Sequence, residues 1–384
     1  MKKLIVFFTF VLILLPLSPA QSADSIVRIT SMAHQTYTGE FRNDDLAQEL
    51  TPSGALGLLV YTPRVANTTW VIDAALVDEV IAMTGDYVLA NDAAPIGKEI
   101  ATAWLEQLRQ ITTGQQVVAL AYGNPDVSLT KRLAPSELKK YYAIGKSQLE
   151  AALGRTVRSE PNGGWSTGKA VLTNAQRTAY TENRKALTKL SKAVDDPELN
   201  SMRAQLSKLL SPGLDKDSRD FFSYSADAAV AEMLNKLRIN SGRYQITTSN
   251  VKLPVTVINE FDTDITVNVL MIPNNSRVIV NSFENITIPA QSKRQLEVIV
   301  EVVAPGQTAV TALITDAEGN EFVPAATLNL NSTVIDPRVT WFTTGAAILL
   351  LLAGAAQSIR RVRRRVTSNR MNSSVPPGLW LWAR

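Results

Sequence analysis

No cysteine occurs in the 384 residues, and histidine occurs once, as His34. A chain without thiols has no disulfide framework and no thiolate nucleophile. Its fold must rest on buried apolar surface, and the length suffices for two domains with real cores. A deacetylase-type zinc site needs two histidines beside an aspartate, so His34 alone builds none, and a catalytic His/Cys pair is excluded. The phosphate-cradling patterns G-x-x-x-x-G-K-[ST] and G-x-G-x-x-G are both missing. No cofactor and no metal are therefore expected, and His34 itself reads as a surface or loop residue.

Acidic residues are missing from both ends. Nine of the 39 basic side chains (Lys2, Lys3, Arg360, Arg361, Arg363, Arg364, Arg365, Arg370 and Arg384) lie in end segments that hold none of the 35 acids. The formal charge of +4 thus leaves 30 basic against 35 acidic residues, near −5, for the rest. A nucleic-acid partner, which a basic surface would suggest, is not expected.

Charge of either sign is missing from residues 339–359, long enough to cross ~30 Å of hydrocarbon as a helix. The cluster Arg360, Arg361, Arg363, Arg364 and Arg365 follows at once and marks the cytoplasmic side, while Trp341 suits the opposite headgroup layer. At the other end, Lys2-Lys3, an apolar run over residues 4–15, and Ser18, Ala20 and Ala23 follow the order of a secretory signal peptide, residues 1–23, cleaved after Ala20 or Ala23. The bulk of the chain is expected outside the cell, anchored in the cell membrane by one pass, with residues 360–384 as a cytoplasmic basic tail.

Between these ends the chain reads in three regimes. In residues 24–166, short apolar strands (26–29, 69–73, 117–122, 156–159) alternate with helices (44–50, 74–83, 98–111, 135–153), the pattern of a parallel sheet with crossover helices. Residues 167–242 read as a helical segment (169–194, 198–210, 226–237) without an apolar strand, so a full eight-stranded barrel is not expected. In residues 243–332, short β-branched runs separated by turn signals such as Pro273-Asn274-Asn275 and Pro305-Gly306 read as an antiparallel, immunoglobulin-like sandwich. The expected fold is thus α/β (a truncated, degenerate barrel-like parallel sheet) with a helical segment, an all-β sandwich and one transmembrane helix.

Several short motifs carry a resemblance. Trp70-Val71-Ile72-Asp73-Ala74-Ala75-Leu76, Ala103-Trp104-Leu105, Ala121-Tyr122-Gly123-Asn124-Pro125-Asp126 and Leu253-Pro254-Val255-Thr256-Val257-Ile258-Asn259 resemble the uncharacterised exported actinobacterial membrane proteins of the DUF6049 type. The resemblance implies a degenerate barrel related in shape to carbohydrate-active domains, an immunoglobulin-like module and one anchor. It also implies a gene beside that of the lipid II flippase, and so a part in cell-wall assembly. This chain departs from the family pattern at Glu160-Pro161, where members usually carry Trp-Pro, and it has less barrel beyond.

Three carboxylates, Asp73, Asp126 and Glu160, stand at or just past strand ends, where barrel enzymes hold catalytic groups. Two facing carboxylates there would suit glycosidic acid/base work, although Asp73 also suits a helix cap and Asp126 a turn. Gly164-Trp165-Ser166-Thr167-Gly168 matches the G-x-S-x-G elbow, yet Pro161-Asn162-Gly163 precedes it where a strand is required, and no histidine follows. The expectation is a non-catalytic envelope protein binding a partner protein or cell-wall glycan; the alternative is a glycan-acting hydrolase using Asp73, Asp126 and Glu160.

Overall fold

The computed structural model of the chain describes residues 25–64, 67–333 and 337–371, the last helix by backbone alone at 337–340 and 362–371. The signal-peptide expectation (1–23), the side chains of Arg363, Arg364 and Arg365, and the tail beyond residue 371 fall outside the described residues. Two compact units form: one runs to Lys236 and takes in Phe261–Thr263, the other comprises Leu237–Glu260 and the chain from Asp264 onward.

In the first unit the elements follow as β1 (Ser25–Ile29), α1 (Asp45–Leu50), α2 (Ala55–Tyr61), β2 (Thr68–Ile72), α3 (Ala74–Thr84), α4 (Lys98–Thr112), β3 (Gln116–Ala119), α5 (Val127–Leu133), α6 (Pro135–Leu153) and β4 (Arg158–Ser159). All neighbouring pairs are parallel and the sheet order is β1-β2-β3-β4. Strands succeeding one another in this way resemble the start of a barrel, but the sheet is open, with β1 and β4 as its edges. Closure into a barrel does not occur.

A parallel sheet must be covered on both faces, and alternate residues show how this one is. Val27, Ile29, Trp70, Ile72, Val117 and Ala119 join the main core, which includes Trp104, Leu108 and Leu149. The residues between them, Val71 and Val118, face the other way with Leu120 and are met by Trp165. The loop around Trp165 therefore covers the face that further strands would enclose in a barrel. Arg28 donates to the Trp165 carbonyl, and the indole Nε1 donates to Glu160 Oε2 at 2.6 Å. The G-x-S-x-G match lies in this loop, with residues 160–163 and not a strand directly before it, which removes the elbow reading.

The unit is completed by α7 (Asn174–Ala193), α8 (Pro197–Gln205), a 3-10 turn (Leu206–Leu210) and α9 (Lys216–Asn235). A full capping box, Thr173 with Gln176, starts α7, while Asp196 caps α8 ahead of a proline at its first position. Gln176 and Asn183 of α7 donate to Asp220 and Asp227 of α9, both at 2.6 Å. The last of these helices starts at Lys216, ten residues before the expected 226.

The second unit is a two-sheet sandwich of β5 (Leu237–Ile239), β6 (Gly242–Ile246), β7 (Asn250–Asn259), β8 (Ile265–Pro273), β9 (Val278–Val280), β10 (Phe283–Ile288), β11 (Ser292–Val302), β12 (Gly306–Thr315) and β13 (Ala326–Ser332). One sheet has the order β10-β8-β12-β13-β6 and the other β5-β7-β11-β9. Inward residues alternate with exposed ones, Val255, Val257, Val298, Val300, Val310 and Ile314 among the buried set. Two expectations need correction. The strand β5 lies inside the stretch assigned to the helical segment, so strand structure starts before residue 243. The pairing is also not wholly antiparallel, since β6 runs parallel to β13. The cause is a crossing: β5 pairs with β7 in one sheet, and after Asn240 and Ser241 the chain continues as β6 beside the last strand of the other.

Helix α10 (Pro337–Met371) contains Trp341–Arg361, long and apolar enough to cross a membrane and buried nowhere against the protein. Trp341 is 83% exposed.

Because Trp165 packs over Val71, Val118 and Leu120 on this face of the parallel sheet, Trp165→Ala should lower the unfolding free energy by about 2 kcal/mol. Urea unfolding of the full-length protein would show it, and an unchanged midpoint would refute the sealing role.

Candidate functional site

At the C-terminal ends of the parallel strands, polar side chains are buried together. Asp73 follows β2 directly. Its backbone N–H donates to the Ile29 carbonyl at the end of β1 (3.0 Å). Its Oδ1 accepts from Ala75 N, capping α3 (3.0 Å), and from Gly123 N, past the end of β3 (2.9 Å). One residue thus ties three strand ends. Gly123 has φ +72°, and a Cβ there would lie 2.7 Å from Ser207 Oγ and 2.9 Å from Lys208 N. Only glycine allows the 3-10 turn to approach so closely.

From that turn Lys208 reaches Glu79 of α3, with Nζ–Oε1 at 2.9 Å and both side chains buried. The ammonium also donates to the Gln35 carbonyl (3.3 Å) and lies 5.5 Å from the centre of the Tyr37 ring. Glu79 Oε2 accepts from His34 N at 3.0 Å. His34 is 2% exposed, which corrects the surface expectation; its Nε2 is 3.2 Å from Ser31 Oγ and 3.9 Å from Glu49 Oε1. Asp78 accepts from the Tyr122 hydroxyl at 2.9 Å.

Burial acts on the carboxylates. Desolvation raises the pKa of Asp73 to about 7, against the opposing pull of its two backbone hydrogen bonds. Desolvation likewise raises Asp78 to about 6, with Tyr122 and Lys208 pulling the other way. The space beside Asp73, Glu79, Lys208, Ser31 and Ser211 amounts to about 10 Å³, room for one water at most. A saccharide does not enter it.

The three carboxylates proposed from sequence serve separate tasks. Asp126 caps α5 through Leu129 N (3.0 Å) and holds the following loop through Ala170 N (3.0 Å). Glu160 holds the Trp165 indole and pairs with Arg158. Neither lines the cleft beside Asp73. The arrangement can orient strand ends and dock the 3-10 turn. Among the described residues, no group of three or more His, Asp or Glu side chains is placed to hold a metal ion. Glu79 and Lys208 were missed by motif reasoning. Their sequence signal is a charge inside an apolar stripe: Glu79 among Leu76, Val80 and Met83, and Lys208 among Leu206, Leu209 and Leu210.

Two measurements test this site. A carboxyl whose folded pKa exceeds its unfolded one keeps a proton that the unfolded chain releases, so stability falls as pH rises from about 4 to about 7 and is level above. Asp73→Asn retains an acceptor for both amides and should remove on the order of 4 kcal/mol of that fall, measured by urea unfolding of wild type and variant across pH 4–8. Parallel curves would show that Asp73 ionises normally. Separately, Lys208→Met leaves Glu79 buried without its cation and should cost about 3–5 kcal/mol, whereas adding Glu79→Gln should recover much of the loss.

Comparison with known proteins places part of the chain. A search of curated proteins finds no match. Among solved structures, an MSP family member from Caenorhabditis elegans is similar at 15% identity and TM-score 0.19, covering 26% of this chain and 98% of that one. A CARDB domain from Pyrococcus furiosus is similar at 12% identity and TM-score 0.20 (25% and 94%). The secreted serine protease VesC from Vibrio cholerae is similar at 14% identity and TM-score 0.23 (29% and 25%). At these values the likenesses carry no functional argument. A family model described as a family of unknown function, DUF6049, matches residues 166–377. That range takes in the helical segment, the sandwich and α10, and of the resembling motifs only residues 253–259 lie inside it. The chain belongs to the DUF6049 family.

Proposed function

We propose that the protein is a non-catalytic, single-pass envelope protein whose two folded units stand outside the cytoplasm and bind a partner protein or cell-wall polymer. The observation that carries the reading is the exposed apolar helix Trp341–Arg361. A helix of this length spans about 30 Å, and so much unburied apolar surface calls for a lipid solvent. Arg360 and Arg361 at its end, with Arg363, Arg364 and Arg365 following in sequence, favour a cytoplasmic C-terminus. Residues 333–336 separate β13 from α10, a connection of at most about 18 Å when extended, so the sandwich is held close to the membrane surface. The same reading takes residues 1–23 as a cleaved signal peptide. It also takes the chain as an actinobacterial protein of peptidoglycan assembly, encoded beside the lipid II flippase.

A binding role is favoured over hydrolysis by the tasks of the strand-end groups. Asp73, Asp126 and Glu160 are each engaged in holding the fold, and the cleft beside Asp73 is too small for a sugar.

The absence of native cysteine makes the topology directly measurable. Single-cysteine variants Lys293→Cys, in the sandwich, and Ser374→Cys, in the tail, would be treated with a membrane-impermeant maleimide in wall-stripped cells. Labelling at residue 293 at once, and at 374 only after permeabilisation, is expected. The opposite pattern would overturn the proposal.

A further inference from the structure

The outer face of the five-stranded sheet in the second unit differs in chemistry from the rest of the sandwich surface. The pairing register sets Gln245 beside Asn331 and Asn331 beside Gln307, and, one step along, Arg243 beside Asn329 and Asn329 beside Ala309. Their neighbours Leu328, Leu330 and Val310 are buried, so period-two alternation turns all six outward. The small side chain of Ala309 leaves a depression of about 520 Å³ between the polar ones.

Among the described residues, the side chains of Gln245, Gln307, Asn329 and Asn331 make no hydrogen bond, Arg243 makes no ion pair, and no carboxylate lines the depression. The outer face of the other sheet is built differently. There Lys252 and Glu297 pair at 2.8 Å, and Lys293 and Glu301 add further charge. Exposed charges of that kind serve solubility; a stretch of unpaired amides with one unmatched cation, over β6, β13 and the start of β12, does not follow the same pattern.

Each amide offers two donors and an acceptor oxygen, held at strand spacing of ~4.8 Å on a rigid sheet. Uncharged donors and acceptors match hydroxyl and acetamido groups without stripping water from an ion. A protein interface would call for apolar or aromatic anchors; in the lining of the depression Leu330 is buried, Tyr244 is half-buried with its hydroxyl on the Pro254 carbonyl, Ala309 is small, and the exposed Leu270 and Ile272 of the same sheet face lie outside it. A nucleic acid would call for several cations, and the depression offers only Arg243. The guanidinium suits a carboxylate, which it can grip through two parallel hydrogen bonds.

We infer that this face of the sandwich binds a carboxylate-bearing glycan, the four amides taking its hydroxyl and acetamido groups and Arg243 its carboxylate. The inference rests on the envelope reading above and adds to it the polymer class and the surface. Contacts in an open, solvated depression are individually weak, so affinity for a polymer arises from repeated engagement by neighbouring molecules in the membrane.

The test uses the full-length protein in detergent micelles with purified peptidoglycan sacculi and two soluble probes, the GlcNAc–MurNAc disaccharide, which has a carboxylate, and chitobiose, which has none. The wild type is expected to sediment with sacculi. Asn329→Ala and Gln307→Ala should each weaken binding about fivefold to tenfold. Arg243→Gln should weaken binding of GlcNAc–MurNAc and leave chitobiose unchanged. These side chains are exposed or half-exposed, so thermal unfolding should not move, and that control separates binding from folding. Full binding by all three variants would overturn the surface assignment while leaving the envelope reading intact. No binding of sacculi or probes by wild type, with the maleimide pattern as expected, would overturn the glycan but not the topology. Loss of a co-purifying envelope protein in the same variants, without sacculus binding, would overturn it in favour of protein docking.

Discussion

A carboxylate taken out of water must meet hydrogen-bond donors or give up its charge, and the first unit is arranged around one that does part of each. Asp73 receives the amides of Ala75 and Gly123 while its own amide reaches the end of β1. These contacts bring the C-terminal ends of three parallel strands to one residue. The same closeness forces glycine at 123 and lets the 3-10 turn set Lys208 against Glu79. Burial still outweighs the two amide bonds, and the Asp73 carboxyl is pushed up to about 7. A group in that condition would suit acid/base chemistry if a substrate reached it. Here about 10 Å³ of space remains beside it, so the desolvation that tunes the group also denies it a partner larger than water.

An open parallel sheet raises a second demand, since both faces need cover. The helices α3, α4 and α6 meet it on one side. On the other, a barrel would supply four more strands, and this chain supplies Trp165 on a loop held by Glu160 and Arg28. That substitution explains why Glu160, at a strand end where a barrel enzyme would keep a catalytic acid, is engaged with an indole instead. The sandwich meets its own demand by ordinary means, two sheets with alternating buried residues.

Most of the elements were legible in the chain, and the exceptions are physical. The short β-branched runs expected over residues 243–332 appear as strands because period-two alternation over half-buried positions is a strong signal. The strand β5 was hidden because Leu237-Arg238-Ile239 is three residues long and continues an apolar helical face. Helix α5 was hidden behind Gly123-Asn124-Pro125-Asp126, which reads as a turn until Asp126 is seen to cap the seven helical residues that follow. His34 lies in a loop, as expected, but its burial was not legible, because Glu79 and Ser31, which give its backbone and its imidazole polar partners inside the fold, come together only in three dimensions. The site was half legible: Asp73 stood out by its place after a strand, but its partners Gly123, Glu79 and Lys208 come from distant parts of the chain.

Periodicity, composition and absence were enough to establish the order of parts: strands alternating with helices, a helical stretch, a run of β-strands, and an uncharged helix ahead of arginines. These are local properties, written in spacings of two, 3.6 and about twenty residues. Whether three carboxylates converge, whether a parallel sheet closes, and which of many surface amides share one depression depend on contacts between residues tens to more than a hundred positions apart. Such contacts follow from packing and desolvation in three dimensions, and no local spacing carries them.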